Sequence, residues 1–181
     1  MIIGLSGYAQ SGKDTIAMHL VQNHGFERIA FADPLREALF ALNPVITDLP
    51  EVFSTSLAHA VEHLGWETVK QNSQQVRELL QRMGTEVGRN LFGQNFWVER
   101  AMLKVEPDKN YVFTDVRFPN EYDAIKAIGG KMWRVFKSGV QSANNHISEL
   151  ALDWHEFDEK INNNSTIEEL NKAIDILLSK V

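Results

Sequence analysis

The sequence predicts an α/β fold, a parallel sheet covered by helices on both faces. Short β-rich runs alternate with segments of helical spacing, the pattern of a parallel sheet with crossover helices. The first run, Ile2–Ser6, is apolar almost throughout, as strands covered on both faces are. Clusters of Asp, Arg and Lys stand just behind these runs, at the strand ends where such sheets bind ligands.

The elements follow in order. Ile2–Ser6 reads as the first strand, and Lys13–His24 as a helix carrying Ile16, Ala17, Leu20 and Val21 on one face, stopped by Gly25. The run RIAFA (28–32) reads as the second strand. Asp33 then serves as N-cap and Pro34 as the first turn of a helix bearing Leu35, Ala38, Leu39 and Leu42. From 43 to 106 no convincing strand is found, and helical spacing recurs over 54–64, 73–87 and 95–105. YVFTD (111–115) is a third strand, and 120–128 a helix ending at Gly129-Gly130. KMWRVF (131–136) and FDEKI (157–161) are the fourth and fifth strands. An amphipathic helix over 166–178 closes the chain, with Ile167, Leu170, Ile174 and Leu177 on one side. The expected organisation is one domain, its core formed by 1–42 and 107–181, with a helical substrate-binding or lid segment over 43–106.

Composition sets further bounds. The chain of 181 residues suffices for one real core plus a small insertion. A net charge of −6 argues against a nucleic-acid partner. The absence of Cys excludes disulfides and thiolate metal sites and is compatible with a reducing cytoplasm. The opening residues lack the basic flank and cleavage site of a signal peptide, and no later run is long enough for a bilayer, so no membrane partner is expected.

The sharpest local signal is GYAQSGKDT, residues 7–15. Gly7, Gln10, Ser11, Gly12 and Lys13 lie in a G-x-x-x-x-G-K spacing between a buried strand and a helix. That context lets successive N–H groups and the helix dipole cradle phosphate while Lys13 reaches the outer phosphates of a nucleoside triphosphate. A hydroxyl usually follows the lysine. Here Asp14 takes that place and Thr15 comes next, so both are candidates for holding Mg²⁺.

Behind the second strand, FADPLR offers Asp33 and Arg36 about one helical turn apart. They read either as an acceptor-orienting Asp with a phosphate-clamping Arg, or as a cap and a surface cation. The stretch RELLQRMGTEVGRNLFGQNFW gathers Arg77, Gln81, Arg82, Gly84, Thr85, Glu86, Arg89 and Trp97. Gln81 suits a base edge, Trp97 a base face, and Arg82 or Arg89 a transferring phosphate. An amphipathic helix with a solvated charged face and a core Trp accounts for the same pattern and is preferred on spacing alone. In TDVRFPNE, Asp115 ends the third strand where a second acidic element belongs, with Arg117 and Glu121 behind it. His146, Ser148 and Glu149 form a small polar group without a hydrolase signature, and Asn162-Asn163-Asn164 reads as a turn or as part of a base pocket.

Taken together, GYAQSGKDT, FADPLR, QRMGTE with FW, DVRFPNEYDAI, HISE and INNNSTIEEL resemble the phage-type deoxynucleoside monophosphate kinases of the P-loop nucleoside monophosphate kinase superfamily. Phosphomevalonate kinase shares similar GKD and DVR elements and is the nearest competitor. The resemblance implies a five-stranded parallel sheet in the order 2-3-1-4-5, ATP and Mg²⁺ as cofactors, a deoxynucleoside monophosphate as the second substrate, a mobile lid and a cytoplasmic setting, that of a host if phage-encoded. It puts Lys13 on the ATP phosphates and Thr15 with Mg²⁺. It groups Gln81, Gly84, Thr85, Trp97, Asp115, Arg117 and Glu121 around the monophosphate, with Arg36, Arg82 and Arg89 matched by motif and charge alone. Lys13, Arg36, Arg89 and Arg117 are thus the expected catalytic cations. Asp33, Arg36, Arg77 and the residues around the monophosphate form the expected acceptor set. A nucleotide-binding switch is disfavoured because no guanine-reading N-K-x-D is present. Monomer and homodimer both remain open.

Overall fold

The computed structural model describes residues 1–50, 53–140 and 151–180. The expectation for His146, Ser148 and Glu149 lies outside the described residues. Two compact units form, one of Met1–Phe31 with Met102–Val181 and one of Ala32–Ala101.

The first unit holds the parallel sheet. Its strands are β1 (Ile2–Ser6), β2 (Phe26–Ile29), β5 (Asn110–Phe113), β6 (Lys131–Phe136) and β7 (Glu159–Asn162). They lie side by side as β2-β5-β1-β6-β7, which in chain order of the five is the expected 2-3-1-4-5. Every pairing is parallel, for example Ile3 with Val112 and Leu5 with Trp133. Alternation along the strands sends Ile3, Leu5, Val112, Trp133, Val135 and Ile161 to one face. There they pack with Ile16 and Leu20 of α1 (Lys13–His24) and with Leu170 and Ile174 of α7 (Ile167–Leu178). The opposite face, at Gly4 and Met132, is approached by Ile125 of α6 (Pro119–Ala127).

Boundaries moved where tertiary pairing decided them. The second strand begins at Phe26, directly after the Gly25 cap, and not at Arg28, because its register with β5 runs from Phe26↔Asn110 to Ile29↔Phe113. Beyond it, Phe31 N–H leaves the ladder to donate to Asp115 Oδ1, 2.7 Å. The fifth strand is Glu159–Asn162, two residues later than its apolar pattern suggested.

The second unit is helical around Leu39, Ile46, Leu57, Val69 and Val76. It contains α2 (Asp33–Leu42), α3 (Leu57–Asn72, interrupted at Gly65), α4 (Gln74–Arg82), a π-helical segment (Met83–Phe92) and α5, Phe96–Met102, whose last residue falls in the first unit. Asp33 is the first helical residue of α2 and Ala32 its N-cap, so Asp33 does not cap as expected. The segment expected to be strand-free carries a two-residue antiparallel ladder, β3 (Val45–Ile46) against β4 (Thr55–Ser56). The donation of Leu57 N–H to Pro44 O, 2.8 Å, closes it. No described helix is long and apolar enough to cross a membrane.

Candidate active site

The loop of residues 7–13 is built where β1 ends at the centre of the sheet. Gly7 has φ 149°, and a Cβ there would lie 2.5 Å from Val135 O. Gly12 has φ 103°, and a Cβ there would lie 2.1 Å from Asn163 Nδ2. Both positions therefore combine a left-handed backbone with a neighbour too close for any side chain. Asn163, read from sequence as part of a turn or of a base pocket, donates its Nδ2 to Ser11 O, 2.9 Å, and braces the loop.

Inside the loop, Lys13 Nζ donates to Gly7 O and Tyr8 O, each at 2.8 Å. Gln10 is exposed with φ 63°. Ser11 is buried, and its hydroxyl has no hydrogen-bond partner among the described residues. Helix α1 starts without a side-chain cap, leaving its positive end to an external acceptor. An orphaned hydroxyl, an uncapped helix start and a lysine within six residues suit a phosphate group. The exposed Asp14 carboxylate and the half-buried Thr15 hydroxyl are oxygen donors of the kind a hard dication takes.

Further polar residues gather at the neighbouring strand ends. Besides the Phe31–Asp115 bond, Thr114 N–H donates to Ile29 O (3.1 Å) and Val116 N–H to Leu5 O (3.2 Å), so Asp115 is held between the ends of β2 and β1. Arg117 is exposed. Its backbone N–H, and that of Phe118, donate to Glu121 Oε2 at 2.7 and 3.0 Å. Glu121 is buried, and at N3 of α6 it caps that helix start and fixes the turn bearing Arg117.

A second network beside the loop was missed entirely from sequence. Arg134 of β6 is 5% exposed. It donates to Ser6 Oγ (3.0 Å) and to Asp153 Oδ1, and its guanidinium lies over the rings of Tyr8, Phe136 and Phe157. Tyr8 Oη donates to Asp153 Oδ2 at 3.1 Å. Burial first, and then that bond, hold the phenol protonated above its ordinary range. An Arg between the apolar Trp133 and Val135 of KMWRVF was the available signal.

The second unit holds the other expected residues, several with local tasks. Arg36 pairs with Glu67 Oε1 at 3.0 Å. Arg77 donates to Lys70 O and Gln71 O, binding the end of α3. Trp97 is 7% exposed and donates its indole N–H to Gly84 O at 2.9 Å. Gln81 and Thr85 are exposed, whereas Gly84 and Arg89 are half-buried, the last three lying in the π-helical segment. Asp33 is half-buried in the first turn of α2.

A parallel sheet in this order, with its central strand running through a glycine loop and lysine into a helix, defines a P-loop kinase fold. Sequence comparison narrows it: the deoxynucleotide monophosphate kinase family matches over residues 45–174. A protein of Acanthamoeba polyphaga mimivirus, provisionally named as such a kinase, is 32% identical over 96% of this chain and 94% of its own. The deoxynucleotide monophosphate kinase of Enterobacteria phage T4 is 25% identical over 96% of both chains. Shikimate kinase of Aquifex aeolicus aligns over 99% of this chain and 96% of its own with a TM-score of 0.48 at 14% identity. This chain belongs to the deoxynucleotide monophosphate kinase family.

Proposed function

We propose that this protein transfers the γ-phosphoryl group of ATP to the phosphate of a deoxynucleoside monophosphate, yielding ADP and a deoxynucleoside diphosphate. The observation that carries the reading is the loop of residues 7–13: an uncapped helix start, the orphaned Ser11 hydroxyl and the tethered Lys13 ammonium. Its backbone N–H groups receive the polyphosphate, and Lys13 exchanges its two loop carbonyls for phosphate oxygens. Gln10 and Ser11 shape the loop around that chain of phosphates. Magnesium, when bound, screens the phosphate charge, and Thr15 with Asp14 are the donors assigned to it.

Donor and acceptor both carry negative charge, so the work left to the protein is positioning and charge compensation. Arg36, Arg89 and Arg117 are assigned to compensation. By chemistry, Gln81 and Thr85 suit a base or sugar, and Asp115 suits orientation of the acceptor. Trp97 holds the Gly84 carbonyl in place, Arg77 holds α3, and Glu121 holds the Arg117 turn. Asp33 is assigned as an acceptor-side carboxylate.

The test is ADP production with dAMP, dGMP, dCMP, dTMP and phosphomevalonate, for the native protein and for Lys13→Ala. Turnover with at least one deoxynucleotide, falling by about 100-fold or more in the variant, is expected from the loss of a charge that stabilises the transition state. Turnover with phosphomevalonate alone, tight ATP binding with no turnover, or an undiminished Lys13→Ala rate overturns the reading.

A further inference from the structure

Helix α1 ends in a cluster that the phosphoryl-transfer reading leaves unused. His19 and His24 both direct Nε2 at one oxygen of Asp175 on α7, at 2.7 and 2.8 Å. The three ligand atoms all lie within 4.8 Å of one another. The His19 side chain is 10% exposed, His24 29% and Asp175 49%, so the cluster is backed by protein on one side and open to water on the other. The two rings meet edge to face, their centroids 5.1 Å apart.

We infer that His19, His24 and Asp175 form a binding site for a transition-metal dication of the zinc type, clamping α1 to α7. Two imidazoles and a carboxylate, with water completing a tetrahedron, is a donor set that zinc accepts, whereas magnesium prefers oxygen alone. Ligands about 2.0 Å from a tetrahedral ion stand about 3.3 Å apart, so each histidine–aspartate distance has to lengthen by roughly half an ångström. With zinc on Nε2, the remaining ring proton of His19 sits on Nδ1. Asn23 is 3.1 Å from that nitrogen, and its amide, turned over, accepts the proton at the expense of its present bond to His19 O.

The site is remote from the chemistry. Lys13 begins α1 and His24 ends it, about 16 Å apart along a helix rising 1.5 Å per residue. Its role is therefore structural: it joins positions more than 150 residues apart in sequence. A second histidine pair, His59 and His63 on α3, has ring centroids 4.2 Å apart and is the natural internal control.

The experiment is zinc titration of chelator-treated full-length protein, followed by calorimetry and by thermal unfolding with and without zinc or magnesium. One zinc per chain is expected, together with a rise in Tm that grows with free zinc and is absent with magnesium. His24→Gln, at a half-exposed helix end, is expected to weaken zinc by about tenfold or more, since a direct ligand matters at least as much as the partners behind it. Asp175→Asn should act in the same direction, while His63→Gln should leave the first equivalent unchanged. Absence of binding at micromolar zinc, or binding lost in His63→Gln but kept in His24→Gln, overturns the assignment. None of these readouts depends on kinase activity.

Discussion

At Gly12, an added methyl would press on the Asn163 amide while holding φ near 103°. Gly12→Ala should therefore lower stability by about 1–3 kcal/mol, the usual strain of a non-glycine residue forced into such a conformation. It should also raise the KM for ATP, since the Asn163 brace shifts with it; urea unfolding and initial rates check both. Asp153 faces a buried guanidinium, so Asp153→Ala, which leaves Arg134 short of its acceptor, should cost about 1–3 kcal/mol. Tyr8→Phe, removing only a half-exposed hydroxyl contact, should cost under about 1 kcal/mol by the same urea midpoints. The loop was readable because its residues adjoin in sequence and each has a local reason for its identity. Arg134 was not, because Ser6 lies 128 positions away and Asp153 lies 19, and the surrounding Met, Trp, Val and Phe disguised it as one more strand residue.

Helical spacing over 73–87 suggested one ordinary helix, yet the chain turns π-helical from Met83 to Phe92. The cause is tertiary. A Cβ on Gly88 would stand 2.0 Å from Trp97 Nε1, and the same nitrogen donates to Gly84 O. The indole lies against this widened turn, a geometry that no periodicity encodes. Gly88→Ala should displace Trp97 and destabilise the helical unit by about 1–3 kcal/mol, as overpacking does; near-ultraviolet circular dichroism and denaturation would register it. The strands KMWRVF and IIGLS were legible because a buried parallel strand announces itself by apolar content. The two-residue ladder of β3 and β4 was not, being too short for any pattern. Helix α6 was legible to within a residue, expected over 120–128 and found at Pro119–Ala127, while the capping task of Glu121 needed the fold of the turn before it.

Across the molecule, three carboxylates shape the acid limb of stability. Burial pushes Asp48 and Asp158 up, but hydrogen bonds prevail and hold both below the ordinary aspartate range: from Gln75 N–H and Ser73 to Asp48, and from Met132 N–H and Lys126 to Asp158. The contacts from His19 and His24 lower Asp175. A group with a depressed native value stabilises above its unfolded value and loses that contribution as pH falls. The contribution of these groups should thus be level down to about pH 5, where aspartate begins to protonate in the unfolded chain, and decline below it. Asp158→Asn should flatten that decline in urea midpoints taken across the same range.

The Asn163 brace also bears on the order of events during translation. Residues 7–13 leave the ribosome long before the amide that secures them, which sits 152 positions after Ser11. The central strand β1 must likewise await both of its late neighbours, β5 and β6. A nascent chain arrested ahead of Asn163 carries all of residues 7–13 and still lacks this brace, so the loop gains it only once that asparagine has been made.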